Sequence, residues 1–121
     1  MARILLIEDS PTDRAVFTQW LERDGHEVLV ASNAEDGLTL AREQQPDLVL
    51  MDVVLPGMSG FQATRALTRD EATSRIPVLI VSTKSMETDR AWGMRQGAVD
   101  YIVKPPRQEE LLERIKQLVN A

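Results

Sequence analysis

Apolar residues gather along the chain in four short runs, Ile4–Ile7, Val28–Ala31, Leu48–Met51 and Val78–Val81, and a fifth stretch, Val99–Val103, is interrupted by Asp100 and Tyr101. Each run has the length of a strand and is followed by a segment long enough for a helix. Strands alternating with helical segments predict parallel βαβ units, because only a crossover returns the chain to lay down a parallel neighbour. The runs starting at Ile4, Leu48 and Val78 are apolar throughout, as strands covered on both faces are. Those near Val28 and Tyr101 carry polar neighbours or interruptions, as edge strands do. The pattern predicts an α/β fold with helices on both faces of a parallel five-stranded sheet, strands 1, 3 and 4 inside, in the order 2-1-3-4-5.

The intervening segments carry helix signals of their own. Ser10-Pro11-Thr12-Asp13 supplies a cap, a proline at the first helical position and an acidic first turn. Val16, Phe17, Trp20 and Leu21 then share one face, and Gly25 stops the helix. Asn33 caps a second helix with Leu38 and Ala41 on its stripe, ended by Pro46; Phe61, Ala63 and Leu67 mark a third. The segment Met86–Gln96 offers only Ala91 and Met94 as a buried stripe, so this helix is expected to shift easily. Trp92 falls about 100° from that stripe. It reads as an exposed interface anchor or as a ring packed on a neighbouring long side chain. The last helix, from about Arg107, has the clearest period: Leu111, Leu112, Ile115, Leu118 and Val119.

Length and charge narrow the classes. At 121 residues the chain fits one domain, 1–121, and it has no cysteine, which excludes disulfides, thiolate metal sites and cysteine nucleophiles. A net charge of −5 lacks the basic excess of a duplex-nucleic-acid reader, so no direct nucleic-acid partner is expected. No apolar run exceeds four residues, so no membrane span is expected, and Glu8 and Asp9 end the first run far too early for a signal peptide. A cytoplasmic setting follows. His26 stands alone in a polar turn, with no second His or Cys to make a metal site.

In an open parallel sheet, ligands bind beyond the carboxyl ends of the strands where the strand order reverses, here between the first and third. The first strand runs straight into Glu8-Asp9, the third into Asp52, the fourth into Ser82-Thr83 and the fifth into Lys104-Pro105. A lone Asp52 in an otherwise apolar stretch would most simply cap the next turn. Glu8 and Asp9 change that reading, since like charges about 5 Å apart repel by roughly 3 kcal/mol at an effective dielectric near 20. Carboxylates crowded at one sheet edge call for a cation, and carboxylates with carbonyl and water oxygens suit Mg²⁺. Lys104 adds a fixed positive charge and Ser82 a hydroxyl, so the set composes a phosphoryl-accepting pocket in which a carboxylate attacks phosphorus in line.

Over essentially its whole length the chain resembles the receiver domains of two-component response regulators, a flavodoxin-like (βα)5 family. The matching elements are Ile7-Glu8-Asp9, Pro46-Asp47 through Met51-Asp52, Leu55-Pro56-Gly57-Met58-Ser59-Gly60, Pro77-Val78 through Ser82-Thr83, Gly97-Ala98 and Tyr101-Ile102-Val103-Lys104-Pro105. The resemblance implies that Asp52 is the phosphoacceptor and that Asp9, Asp52 and the Val54 carbonyl hold Mg²⁺, with Glu8 assisting through water. It makes Lys104 the phosphate-binding lysine, ahead of a cis bond to Pro105, and Tyr101 a switch aromatic. The plain alternative for Tyr101 is a β-forming ring on an edge strand. Counting from Pro77 and from Gly97 places Ser82 at the switch hydroxyl, with Thr83 beside it as a second donor. The implied coupling has Ser82 move to a phosphoryl oxygen and Tyr101 turn inward, so that a partner reads the face from the fourth strand to the fifth helix.

The resemblance also implies a sensor histidine kinase or histidine phosphotransfer domain as donor, a downstream protein target, and a monomer or weak dimer. Such a chain is a phosphoacceptor that promotes its own modification rather than an enzyme acting on other molecules. The stretch from Thr83 to Ala98, with Glu87-Thr88-Asp89 and Trp92-Gly93, is similar to twitching-motility receivers of the PilH kind. Such a chain stands alone, or is cut from a regulator with an output domain. Val54 and Lys84 flank the phosphoryl position without an amide or carboxylate to orient water, which implies slow self-hydrolysis. Pro106 stands where relatives often carry a large apolar residue, and Arg107 where a capping residue is usual, so the last helix is expected to begin raggedly. Three other readings fit less well. A flavin mononucleotide carrier needs a Ser/Thr/Gly-rich loop where Glu8-Asp9 stands, an aspartyl phosphatase needs an Asp where Val54 stands, and a purely binding receiver-like module leaves a full set of pocket residues unused.

Overall fold

The structure, a computed structural model, describes residues 1–120; Ala121, the end of the expected domain, lies outside the described residues. Five strands alternate with five helices: β1 Arg3–Ile7, α1 Pro11–Arg23, β2 Glu27–Ala31, α2 Ala34–Gln44, β3 Leu48–Met51, α3 Gly60–Arg69, β4 Val78–Ser82, α4 Glu87–Arg95, β5 Asp100–Val103 and α5 Gln108–Val119. All strand pairs are parallel and the sheet order is β2-β1-β3-β4-β5, as the apolar runs predict. No described helix is long and apolar enough to cross a membrane.

Successive side chains leave a strand on opposite faces, so each inner strand feeds two cores. On one face Ile4, Leu6, Leu50, Leu79 and Ile102 pack against Phe17 and Leu21 of α1 and Leu111 and Ile115 of α5. On the other, Leu5, Ile7, Val49, Met51 and Ile80 meet Ala34 and Ala41 of α2 and Ala63 and Leu67 of α3. β1, β3 and β4 are almost wholly buried, whereas β2 and β5 each expose an end or an alternate residue.

Side-chain caps fix where the first three helices start. Ser10 accepts from the Asp13 N–H with Pro11 at the first helical position, and Asn33 does the same for Asp36. Ser59 and Gln62 form a reciprocal capping box at α3. α2 ends at Gln44, and its C-cap Gln45, with a left-handed backbone (φ 47°), closes the helix just before Pro46. α5 begins at Gln108 behind Arg107, which makes no side-chain capping bond, while the Leu111 N–H donates to the Arg107 carbonyl at 3.0 Å.

α4 departs from expectation. Ala91 and Met94 face solvent, and the residue pressed on the sheet is Gly93. A Cβ at position 93 would meet Ile80 Cδ1 at 2.8 Å and Tyr101 Cδ2 at 3.1 Å, so the helix sits close by having no side chain there. Trp92 is 48% exposed. Helical geometry sets it on the opposite side of Gly93 from Arg90, which reaches toward β5.

Candidate functional site

Strand register assembles the site. Ile7 pairs with Met51 and Ser82 with Val103, so the residues just beyond these pairs, Glu8, Asp52 and Lys104, emerge together at the carboxyl edge. The pairing continues one step further: Asp52 N–H donates to the Ile7 carbonyl at 3.1 Å and Lys104 N–H to the Ser82 carbonyl at 2.8 Å. Beyond Asp52 the chain is pinned by Gly60, whose N–H donates to the Val53 carbonyl at 2.9 Å. A Cβ at Gly60 would run into the Asp52 carbonyl, so glycine is required where the start of α3 crosses the end of β3.

The Lys104 ammonium lies among three carboxylates. Nζ donates to Glu8 Oε1 at 2.6 Å, Asp13 Oδ2 at 2.7 Å and Asp52 Oδ2 at 3.1 Å. Asp52 is only 7% exposed, and its other oxygen accepts from the Val54 N–H at 3.2 Å. Glu8 is buried, and its second oxygen accepts from the Ser10 N–H at 3.1 Å. Burial pushes the Glu8 carboxyl up to about 7; the Lys104 bond opposes this and the neighbouring Asp52 adds to it. Lys104 moves in the sense of a fixed cation. Burial works against its charge, but the bonds it donates to Asp13 and Glu8 and the charge of Asp52 overcome that and hold its pKa above the ordinary value. The two directions agree once one ammonium is seen to be shared three ways, so that Glu8 receives part of a counter-charge. The Lys104–Pro105 peptide is cis.

The two hydroxyls part company. Ser82 is fully buried and its Oγ accepts from the Lys84 N–H at 3.3 Å, while Thr83 is exposed and lines a groove of about 470 Å³ beside Lys104, Pro105 and Trp20. Ser82 therefore faces Tyr101 and Thr83 does not. Tyr101 is buried, and its hydroxyl donates to the Lys84 carbonyl at 2.7 Å. The inward turn expected to follow from a displaced Ser82 is already made in this structure, in the room that Gly93 leaves. Burial raises the Tyr101 phenol, the charges of Asp89 and Asp52 add to it, and Ser82 pulls the other way, so the ring feels the pocket electrically.

Asp9 lies exposed at the rim, its backbone carbonyl accepting from Arg14 at 2.8 Å. Among the described residues no group of three or more His, Cys, Asp or Glu side chains is arranged to hold a metal ion on its own. The donors here still suit Mg²⁺, a hard ion that binds through one or two carboxylates and keeps several waters, so it needs no such cage. Asp9, Asp52 and the Val54 carbonyl are oxygen donors of the type such an ion takes, and the carboxylates at this edge carry more negative charge than one lysine offsets. Asp13 is the residue that sequence reasoning missed. It reads as an acidic first-turn residue, and its meeting with Lys104 across 91 positions leaves no local trace. The signal available was the cap: Ser10 and Pro11 fix the start of α1, and hence place Asp13 at its third position, above the sheet edge.

Residues 4–116 match the family described as response regulator receiver domain. The protein PilH of Pseudomonas aeruginosa PAO1 is 56% identical over 119 residues, covering 98% of both chains. The transcriptional regulatory protein AfsQ1 of Streptomyces coelicolor is 40% identical over 98% of this chain, which spans 52% of AfsQ1. A solved receiver domain of a sensor histidine kinase from Pseudomonas aeruginosa PAO1, with a magnesium ion coordinated in its active-site cleft, has a TM-score of 0.92. It is 28% identical, over 99% of this chain and 98% of that one.

Proposed function

This chain belongs to the response regulator receiver domain family, and from that membership we propose that it is a phosphorylation-dependent signalling switch acting in a two-component phosphorelay of the PilH, twitching-motility kind. The observation that carries the reading is Asp52, nearly buried at the end of β3 with Oδ2 3.1 Å from the Lys104 ammonium. A carboxylate oxygen of Asp52 attacks the phosphorus of a phosphohistidine on a sensor kinase or phosphotransfer domain. The new O–P bond forms as the P–N bond breaks, and the departing imidazole keeps the electron pair and takes up a proton. Lys104 donates to the phosphoryl oxygens as charge moves onto them.

Asp9, Asp52 and the Val54 carbonyl would hold Mg²⁺, with Glu8 behind a water, and the ion would supply neutralising charge to the same oxygens. Ser82 donates to one of them, and modification acts by favouring the arrangement in which Ser82 faces the pocket and Tyr101 lies inside, tethered to Lys84. A downstream protein then reads the surface from β4 to α5 in the cytoplasm. The chain is a phosphoacceptor that assists its own modification and loses it slowly, and it is not an enzyme acting on a separate substrate.

Incubation with Mg²⁺ and acetyl phosphate or phosphoramidate, followed by intact-mass spectrometry, tests this directly. The wild type should gain one phosphoryl group and Asp52→Asn none. Equal labelling of Asp52→Asn, or none of the wild type, would refute it.

A further inference from the structure

Resting on the phosphorylation reading, we propose that Asp13 is a displaceable counterion for Lys104. It holds the ammonium over the pocket in the unmodified chain, competes with the phosphoryl group for it, and is let go when Asp52 is modified.

An ammonium has three N–H donors, and all three of Lys104 are spent on carboxylates. The three acceptors are not equally held. Glu8 is 2% exposed and also accepts from Ser10, and Asp52 also accepts from Val54. The Asp13 side chain is 35% exposed, and Lys104 is its one hydrogen-bond partner among the described residues. It is the acceptor that water can replace at least cost. A phosphoryl group on Asp52 brings three further acceptor oxygens and close to two negative charges in place of one. Those oxygens draw on the Lys104 donors, and their charge repels the carboxylate least restrained among its neighbours.

The exchange has a structural output. Asp13 stands in the first turn of α1, and through Lys104 that turn is tied to the segment joining β5 to α5. Asp13, Phe17 and Trp20 form one wall of the groove and Lys104, Pro105 and Pro106 the other. Releasing Asp13 unfastens the two walls. The mouth of the pocket on the α1 side therefore differs between modified and unmodified chains, independently of Tyr101.

Calorimetric titration with beryllofluoride in saturating Mg²⁺ tests the competition. Asp13→Asn keeps shape and removes charge, and it should bind the phosphoryl mimic about three- to tenfold more tightly than wild type. Asp13→Glu restores the charge and should return the affinity toward wild type. A purely structural contribution of Asp13 to the start of α1 is common to both folded states and cancels in a binding affinity, while appearing in the melting temperature of the free protein. Asp13→Asn binding no tighter than wild type, or Asp13→Glu behaving like Asp13→Asn, overturns the proposal and leaves the phosphorylation reading intact. A wild type that binds no beryllofluoride refutes both.

Discussion

Val54 stands two residues after Asp52 with 54% of its surface in water, and Lys84, two after Ser82, is also exposed. Neither can accept a proton from water or hold it in line with a phosphorus on Asp52: a valine has no polar atom, and a lysine ammonium only donates. On the proposed reading, hydrolysis of an acyl phosphate on Asp52 would use water that neither of these two residues orients. Val54→Asn supplies an amide at the mouth of the pocket without touching Lys104 or Asp13. Decay of the label on Asp52, followed by mass spectrometry after the donor is removed, should quicken by about tenfold. An unchanged decay would mean that the barrier lies elsewhere, for example in the grip of Lys104 on the phosphoryl oxygens. At this scale the pocket was legible where chemistry is coded by residue type at a strand end, as with Asp52 and Lys104. It was not legible for Asp13, because a carboxylate in a first helical turn has an adequate local role as a partner for the helix dipole.

Asp100 joins three elements at the far side of the sheet. Its Oδ1 accepts from Arg90 of α4 at 3.1 Å and its Oδ2 from Arg114 of α5 at 2.8 Å, while Arg90 also donates to the Tyr101 carbonyl at 2.8 Å. Burial alone would raise the Asp100 carboxyl. The Tyr101 N–H, Arg114 and Arg90 outweigh it and hold the pKa below the ordinary 3.8. A carboxyl with a depressed folded pKa adds stability above its unfolded pKa and loses it as pH falls through the folded one. Asp100→Asn should therefore cost about 0.5–1 kcal/mol in urea denaturation at pH 7, with the difference from wild type closing below about pH 3.8. A gap that persists unchanged at pH 3 would assign the loss to shape rather than charge. α4 depends on such polar ties because only Gly93 among its residues is buried. Its packing is not legible in the sequence for the same reason: Ala91 and Met94 are the apolar pair at helical spacing, but the contact with the sheet is made by the absence of a side chain at Gly93. α1 and α5, whose Phe17, Leu21, Leu111 and Ile115 enter the core at helical spacing, were legible for the opposite reason.

Across the whole molecule, continuous apolar runs marked the inner strands, and the strand order placed the switch point between β1 and β3. The balance of charge at that point is a property of the assembled sheet that no single segment announces. Glu8, Asp9, Asp13 and Asp52 share one edge with Lys104, in a chain whose net charge is −5. An ion bound only by the folded chain stabilises it by RT ln(1 + [ion]/Kd), about 1.4 kcal/mol at ten times Kd. For a domain of this size that corresponds to roughly 5–6 °C in melting temperature. Mg²⁺ should raise the melting temperature by about that much, whereas NaCl at matched ionic strength, which only screens, should give a much smaller rise. Asp9→Asn should flatten the Mg²⁺ response, because Asp9 is the exposed carboxylate free of Lys104. Asp13→Asn should preserve it, since Asp13 serves the lysine and not the ion. Equal effects of the two salts on the wild type would mean that the edge is relieved by screening and Lys104 alone, and the roles assigned to Asp9 and the Val54 carbonyl would then have to be abandoned.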